Sequence, residues 1–295
     1  MLSVSLVCIV LVAEALGAPI VRKNAPLFSV DYSNYKEGDK PDIYKDYYAP
    51  TDGCFGVYRK GGNCASSKPN TCFIRKDPSN SDGKVMEVTV KGHTYGTSKS
   101  YSGSQFYTHH LREISVLLEA TLEYEVYFPE DFEWTLGGKL PGMYGGDKEC
   151  SGERPSDGTN CFSTRLMWRE DGEGEAYMYI PVEEQQFDVQ DKCHMGDDPT
   201  HCSLNRGVLN FQAGSWNKLK QIITLNTVGD NDGWFELYHN NKLVMKERIV
   251  YRTTEKLRLS GMFFSTFFGG DSEEYAPERD QYLSFKNIVL SPGRA

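Results

Sequence analysis

The chain has 295 residues with 13% aromatic side chains, 28 glycines and a formal net charge of −9. That length suits one large all-β domain or two small ones. The acidic balance excludes a nucleic-acid partner, because no basic stretch could offset phosphate repulsion, but it leaves room for a small basic cleft within an acidic surface. From the N-terminus, the uncharged apolar run at 2–13 is followed by Glu14 and by small residues at Ala15 and Gly17. A membrane-spanning helix needs roughly 20 apolar residues, so the run reads as a signal peptide cut after Gly17. The expected product is a secreted, extracellular protein with no membrane segment, and a monomer.

Removal of Cys8 with the leader leaves an odd number of the eight cysteines. Cys150 and Cys161 flank one polar loop and Cys193 and Cys202 another. Each pair is expected to close a disulfide in an oxidising compartment. Cys54, Cys64 and Cys72 crowd a third, Gly-rich loop, in which at most one pair can form. A zinc site built from Cys193, His194, His201 and Cys202 is the competing reading of the second loop; the disulfide is simpler, and neither metal nor cofactor is expected.

After a tail at 18–30, strand-like segments follow one another, separated by Gly, Asn and Asp turns. They lie at 115–128, 161–169, 175–182, 218–226, 233–240, 242–250, 256–268 and 281–291. Between them, the acidic run at 183–191 reads as solvated surface, and 198–209 as a short irregular or helical piece. No segment carries a 3.6-residue apolar period over a dozen residues. Many antiparallel strands at this spacing predict an all-β sandwich or jelly roll, one domain over 31–293, with a concave sheet able to hold an extended polymer.

Two segments stand out chemically. In the stretch 134–146, Gly pairs bracket Lys139 and Pro141. The order of a phosphate-binding loop is absent, and the plain alternative is a Gly-rich turn with a solvated lysine. In 161–169, Ser163 and Arg165 share one strand face, and Tyr177 and Tyr179 share a face of the next strand. If the intervening turn at 170–174 closes a hairpin, Lys, Ser, Arg and two Tyr line one surface with no carboxylate between the tyrosines. Ordinary aromatic packing would account for the tyrosines alone.

Together these groups match the needs of β-elimination on a uronate. Arg or Lys neutralises the sugar carboxylate and stabilises the enolate-like charge that develops when the C5 proton leaves. A base takes that proton, and an acid protonates the departing glycosidic oxygen. Tyr suits either role beside a cation, and Lys can serve as base when its pKa is depressed. A glycoside hydrolase would instead need two carboxylates across the bond, and no strand aligns such a pair.

The ordered set Lys139, Ser163, Arg165, Tyr177 and Tyr179, with the GGKLPG motif around the lysine, resembles polysaccharide lyase family 14 from about Tyr32 to Leu290. The resemblance implies a β-jelly roll, a concanavalin-like sandwich of two antiparallel sheets with a concave substrate cleft. It implies Lys139, Tyr177 and Tyr179 as catalytic groups and Arg165 and Ser163 as substrate-binding ones. Gln105 is a further candidate for the carboxylate, from its neighbourhood; His109 and His110 read as structural. Which of Lys139, Tyr177 and Tyr179 is base and which is acid stays open. The implied substrate is an acidic polysaccharide, alginate with mannuronate-rich blocks and endo cleavage first, glucuronan second. A non-catalytic polysaccharide-binding protein is the remaining alternative.

Overall fold

A computed structural model describes residues 25–42, 45–46, 71–79, 82–96, 102–108, 114–146, 150–152, 154–195 and 200–294. The segment expected to be a signal peptide, Cys54, Cys64, His109 and His110 lie outside the described residues. In chain order the strands are β1 (Phe28–Ser29), β2 (Cys72–Lys76), β3 (Lys84–Val90), β4 (Ser104–Tyr107), β5 (Glu119–Tyr127) and β6 (Gly138–Leu140). Next come β7 (Gly142–Gly146), β8 (Cys161–Trp168), β9 (Glu173–Tyr179), β10 (Cys193–His194) and β11 (Cys202–Asn210). The last five are β12 (Trp216–Thr224), β13 (Trp234–His239), β14 (Lys242–Arg248), β15 (Leu259–Phe268) and β16 (Gln281–Pro292), and a short helix, α1 (Phe187–Lys192), precedes β10.

The strands form two eight-stranded sheets. The back sheet runs β14-β13-β12-β5-β16-β3-β2 with β1 on β16; the front sheet runs β10-β11-β9-β8-β6-β15-β4 with β7 beside β15 and β8. Neighbouring strands within both sheets pair antiparallel, as expected of the jelly-roll sandwich. Period-two alternation builds the core. On β5, Leu122, Tyr124 and Val126 point inward, while Glu123 and Glu125 face water. On β8, Phe162, Leu166 and Trp168 enter the same core from the other sheet. Each aromatic buried there contributes about 1.5–3 kcal/mol, so the contact between sheets dominates stability and the outer face of the front sheet is left for function.

Three expectations change. The domain begins before residue 31: Phe28 pairs with Leu290 and is buried, so part of the tail completes the back sheet. The acidic run at 183–191 contains α1, anchored by fully buried Val189, and is not simply solvated surface. The segment from Cys202 is strand, not helix, because its first residues pair with β9. It is irregular only between Leu204 and Leu209, where Asn205 and Gly207 take positive φ of 52° and 82°.

Candidate active site

The hairpin expected from the turn at 170–174 forms. Asp171 and Gly172 turn the chain with positive φ, and β8 and β9 pair with Ser163 opposite Tyr179, Arg165 opposite Tyr177 and Met167 opposite Glu175. Since Phe162, Leu166 and Trp168 face the core, the alternate residues Ser163, Arg165 and Met167 face outward.

Lys139 reaches this face by a different route. The stretch 134–146 opens with a turn at Thr135 and Leu136, but from Gly138 onward it is extended and buried, not a turn with a solvated lysine. It forms β6 and β7, which run consecutively between β15 and β8 and are broken at Pro141, whose ring nitrogen cannot donate to the ladder. The Pro141 carbonyl instead accepts from the Tyr124 hydroxyl at 3.0 Å and from Gln221 Nε2 at 3.1 Å, both from the back sheet. Gly138 permits the close approach: a Cβ there would lie 2.1 Å from the Trp168 ring. Lys139 is thereby set in register with Met167 on one side and Phe267 on the other.

Lys139 is buried, 7% exposed. Its Nζ donates to Met167 Sδ at 3.0 Å and lies 3.7 Å from the centre of the Tyr177 ring. Burial, reinforced by the positive charges of Arg165 and Arg169, pushes its pKa well below the ordinary lysine value. Arg165, 2% exposed, lies among the rings of Phe263, Tyr177 and Tyr179 at 4.5, 5.3 and 5.6 Å. Its Nη1 donates to Ser265 Oγ at 3.4 Å, and Ser265 Oγ donates to Gln105 Oε1 at 3.3 Å. Arg165 Nε is buried without a partner, and Arg165 makes no ion pair among the described residues. A buried guanidinium left in this condition is costly unless an anion completes it.

The two tyrosines differ. Tyr177 and Tyr179 hydroxyls stand 3.5 Å apart, and Tyr179 also donates to the Gly152 carbonyl at 2.9 Å. Burial, and next the neighbouring Tyr179, push the Tyr177 phenol far above the ordinary tyrosine value, so it stays protonated. Ser163 is fully buried, and its hydroxyl donates to the Cys150 carbonyl at 2.8 Å. With Tyr179 it anchors the loop 150–152, which the Cys150–Cys161 disulfide ties to the start of β8.

The second expected disulfide, Cys193–Cys202, also forms with Cα atoms 4.9 Å apart, so neither sulfur can serve a metal as thiolate. It fixes the approach to His201, whose ring packs 4.6 Å from that of Tyr177. Cys72 is buried on β2 in the core between the sheets, where its thiol meets Ser104 of β4.

Sequence reasoning missed three contributors. Met167 and Glu175 follow from the same alternation that selected Arg165 and Tyr177, so the face does hold a carboxylate, fully buried Glu175. Ser265 could not be found that way, because its place beside Gln105 depends on the pairing of β15 with β4 across a long stretch of chain.

Comparisons with known proteins agree with this fold. The chain is 28% identical to the marine PL-14 alginate lyase from Aplysia kurodai, with a TM-score of 0.71 over 91% of this chain and 99% of that one. The alginate lyase Aly36B shares the fold, at 20% identity and a TM-score of 0.67 over 91% of this chain and 98% of that one. Exolysin of Paramecium bursaria Chlorella virus 1 is 22% identical over 191 residues, 58% of this chain; the chain spans only 29% of that relative's length. The family model described as Polysaccharide lyase 14 matches residues 78–288, which hold Lys139, Ser163, Arg165, Tyr177 and Tyr179. On that match over well more than half of its length, the chain belongs to polysaccharide lyase family 14.

Proposed function

We propose that the protein is a secreted lyase that cleaves a uronate polymer by β-elimination, with alginate, mannuronate-rich and cut internally, as the first substrate. The observation that carries this reading is a buried amine, Lys139, and a buried guanidinium, Arg165, standing beside two tyrosines, with no anion paired to Arg165 among the described residues. A sugar carboxylate placed between Arg165 and Gln105 would balance the Arg165 charge. It would also make the C5 proton acidic.

Lys139 is then the base. Its depressed pKa raises the share of neutral amine above that of an ordinary lysine, so Nζ can accept the C5 proton. The electrons of the C–H bond form the C4=C5 double bond as the C4–O4 bond breaks. Tyr177 donates its phenolic proton to the leaving O4, since its raised pKa keeps it protonated and its hydroxyl is bonded only loosely to Tyr179. Tyr179, committed to the loop through Gly152, orients Tyr177 and stands as the second candidate for the acid. The relatives support the substrate: that of Aplysia kurodai is an alginate lyase, and a double mutant of Aly36B has been solved with an alginate tetrasaccharide. The two disulfides support an extracellular site of action.

The test is to incubate the purified protein with alginate, polymannuronate, polyguluronate and glucuronan and follow the ultraviolet absorbance of the unsaturated product end. A rise with polymannuronate alone or most rapidly is the expected result. A rise only with glucuronan would move the substrate within the same chemistry, and silence on all four with a folded protein would overturn the reaction.

A further inference from the structure

Beside the site lies a group of charges that the proposed reaction does not use. Glu175 faces outward in the same row as Lys139 and Met167 and is fully buried. Its Oε1 accepts from Arg169 Nε at 3.0 Å and also from Arg169 Nη2, and its Oε2 accepts from Arg206 Nε at 2.8 Å. Burial alone would favour the neutral acid, but the two guanidiniums hold the carboxyl below its usual range, so it is ionised.

Folding alone does not require this arrangement. Arg169 already neutralises Glu175 and is itself saturated, donating in addition to Leu136 O and Ser203 Oγ at 3.4 Å each. Arg206 adds a second positive charge to the same single carboxylate. Its side chain is 42% exposed, and its Nη nitrogens have no partner among the described residues. Its direction is also set by the backbone: Arg206 sits between Asn205 and Gly207, both at positive φ, in the irregular stretch where β11 leaves β9. Such irregularities re-aim a side chain at the cost of ladder pairing. A long, flexible cation has been given a fixed base and an open fork.

We propose that Arg206, held by Glu175 and backed by Arg169, is a second carboxylate-binding subsite, which takes the uronate of a sugar removed from the one being cleaved. Arg165 lies on β8 and Arg206 on β11, with β9 between them. Strands stand about 4.8 Å apart, so the two guanidiniums suit different sugars of one chain lying across the strands. The planar fork of Arg206 matches a carboxylate bidentately. The inference rests on the uronate polymer reading of the same cleft.

The experiment compares wild type with Arg206→Gln and Arg206→Lys on polymannuronate and on the shortest mannuronate oligomer that wild type cleaves. On polymer, Arg206→Gln is expected to raise KM on the order of tenfold, the loss of one charge-assisted contact, with kcat within about twofold. Added salt should weaken wild type more than the variant, and Arg206→Lys should recover part of the loss. On the short oligomer, all three should coincide. Unchanged polymer KM, or equal losses on both substrates, would overturn the subsite. If wild type cleaves no polymer, the reaction itself has failed. Equilibrium binding of polymannuronate across a salt series then tests the subsite separately, and equal affinity of wild type and Arg206→Gln would overturn it.

Discussion

Replacing Lys139 by Met removes the amine while keeping an unbranched chain of similar length in a site that is 7% exposed and lined by Met167 and the Tyr177 ring. The expected result is twofold: turnover vanishes and the fold becomes more stable. In the unfolded chain, Lys139 titrates near its ordinary value of 10.5, while in the fold burial and the charges of Arg165 and Arg169 depress it well below that. The unfolded state therefore binds more protons between the two values, so the lysine costs stability there, and the cost shrinks as pH rises. Each pH unit is worth about 1.4 kcal/mol for a single group. The advantage of Lys139→Met over wild type should hence fall by about 1.4 kcal/mol per pH unit as pH climbs through this window, and vanish above 10.5. It should level off below the folded-state pKa, where the full penalty is already present. Urea unfolding of both proteins across the alkaline range reads this slope directly. A stability difference that does not change with pH would refute the depressed amine, and with it Lys139 as a base that is ready near neutrality.

Three other outcomes are expected. Tyr177→Phe should lower kcat by about 10²–10⁴-fold, the usual worth of a positioned proton donor. Tyr179→Phe, which frees the Gly152 carbonyl, should cost less; initial rates giving the reverse order would exchange the two roles. Gly138→Ala places a Cβ 2.1 Å from a Trp168 ring that cannot easily yield, since its Nε1 donates to Trp134 O and it packs on Phe128, Phe132 and Phe268. A loss of about 1–3 kcal/mol in chemical unfolding, with reduced activity from a displaced Lys139, is expected; full activity would show that β6 tolerates the shift. Replacing Cys150 and Cys161 together by Ser should cost about 2–4 kcal/mol and lower kcat, because Ser163 and Tyr179 both bond to the loop that this bridge holds. An unchanged rate would separate the loop from the chemistry.

The sequence by itself determined much of this protein, where the information is local. Alternation along a strand has a period of two, so Arg165, Tyr177 and Tyr179 could be assigned to common faces before any pairing was known, and the positive-φ turn at Asp171 and Gly172 joined those faces. Cysteines 9 and 11 residues apart close short loops, and those bridges followed directly from spacing. Tertiary structure decided whatever depends on register between distant segments or on competition for a hydrogen bond. Lys139 meets Tyr177 only because Pro141 breaks β6 from β7 and two back-sheet side chains hold its carbonyl. Ser163 was recognised by strand face, but the face does not say what covers it, and the loop at Cys150 claims its hydroxyl. The jelly-roll class was legible, and so was an irregular piece within 198–209, whereas α1 and the pairing of that piece with β9 were not, because the first is only six residues long and the second depends on a distant strand. Residue types and their order recorded which chemistry was available; the long-range pairing of the sixteen strands among the described residues fixed which groups touch, how deeply they are buried, and hence which way their pKa values move.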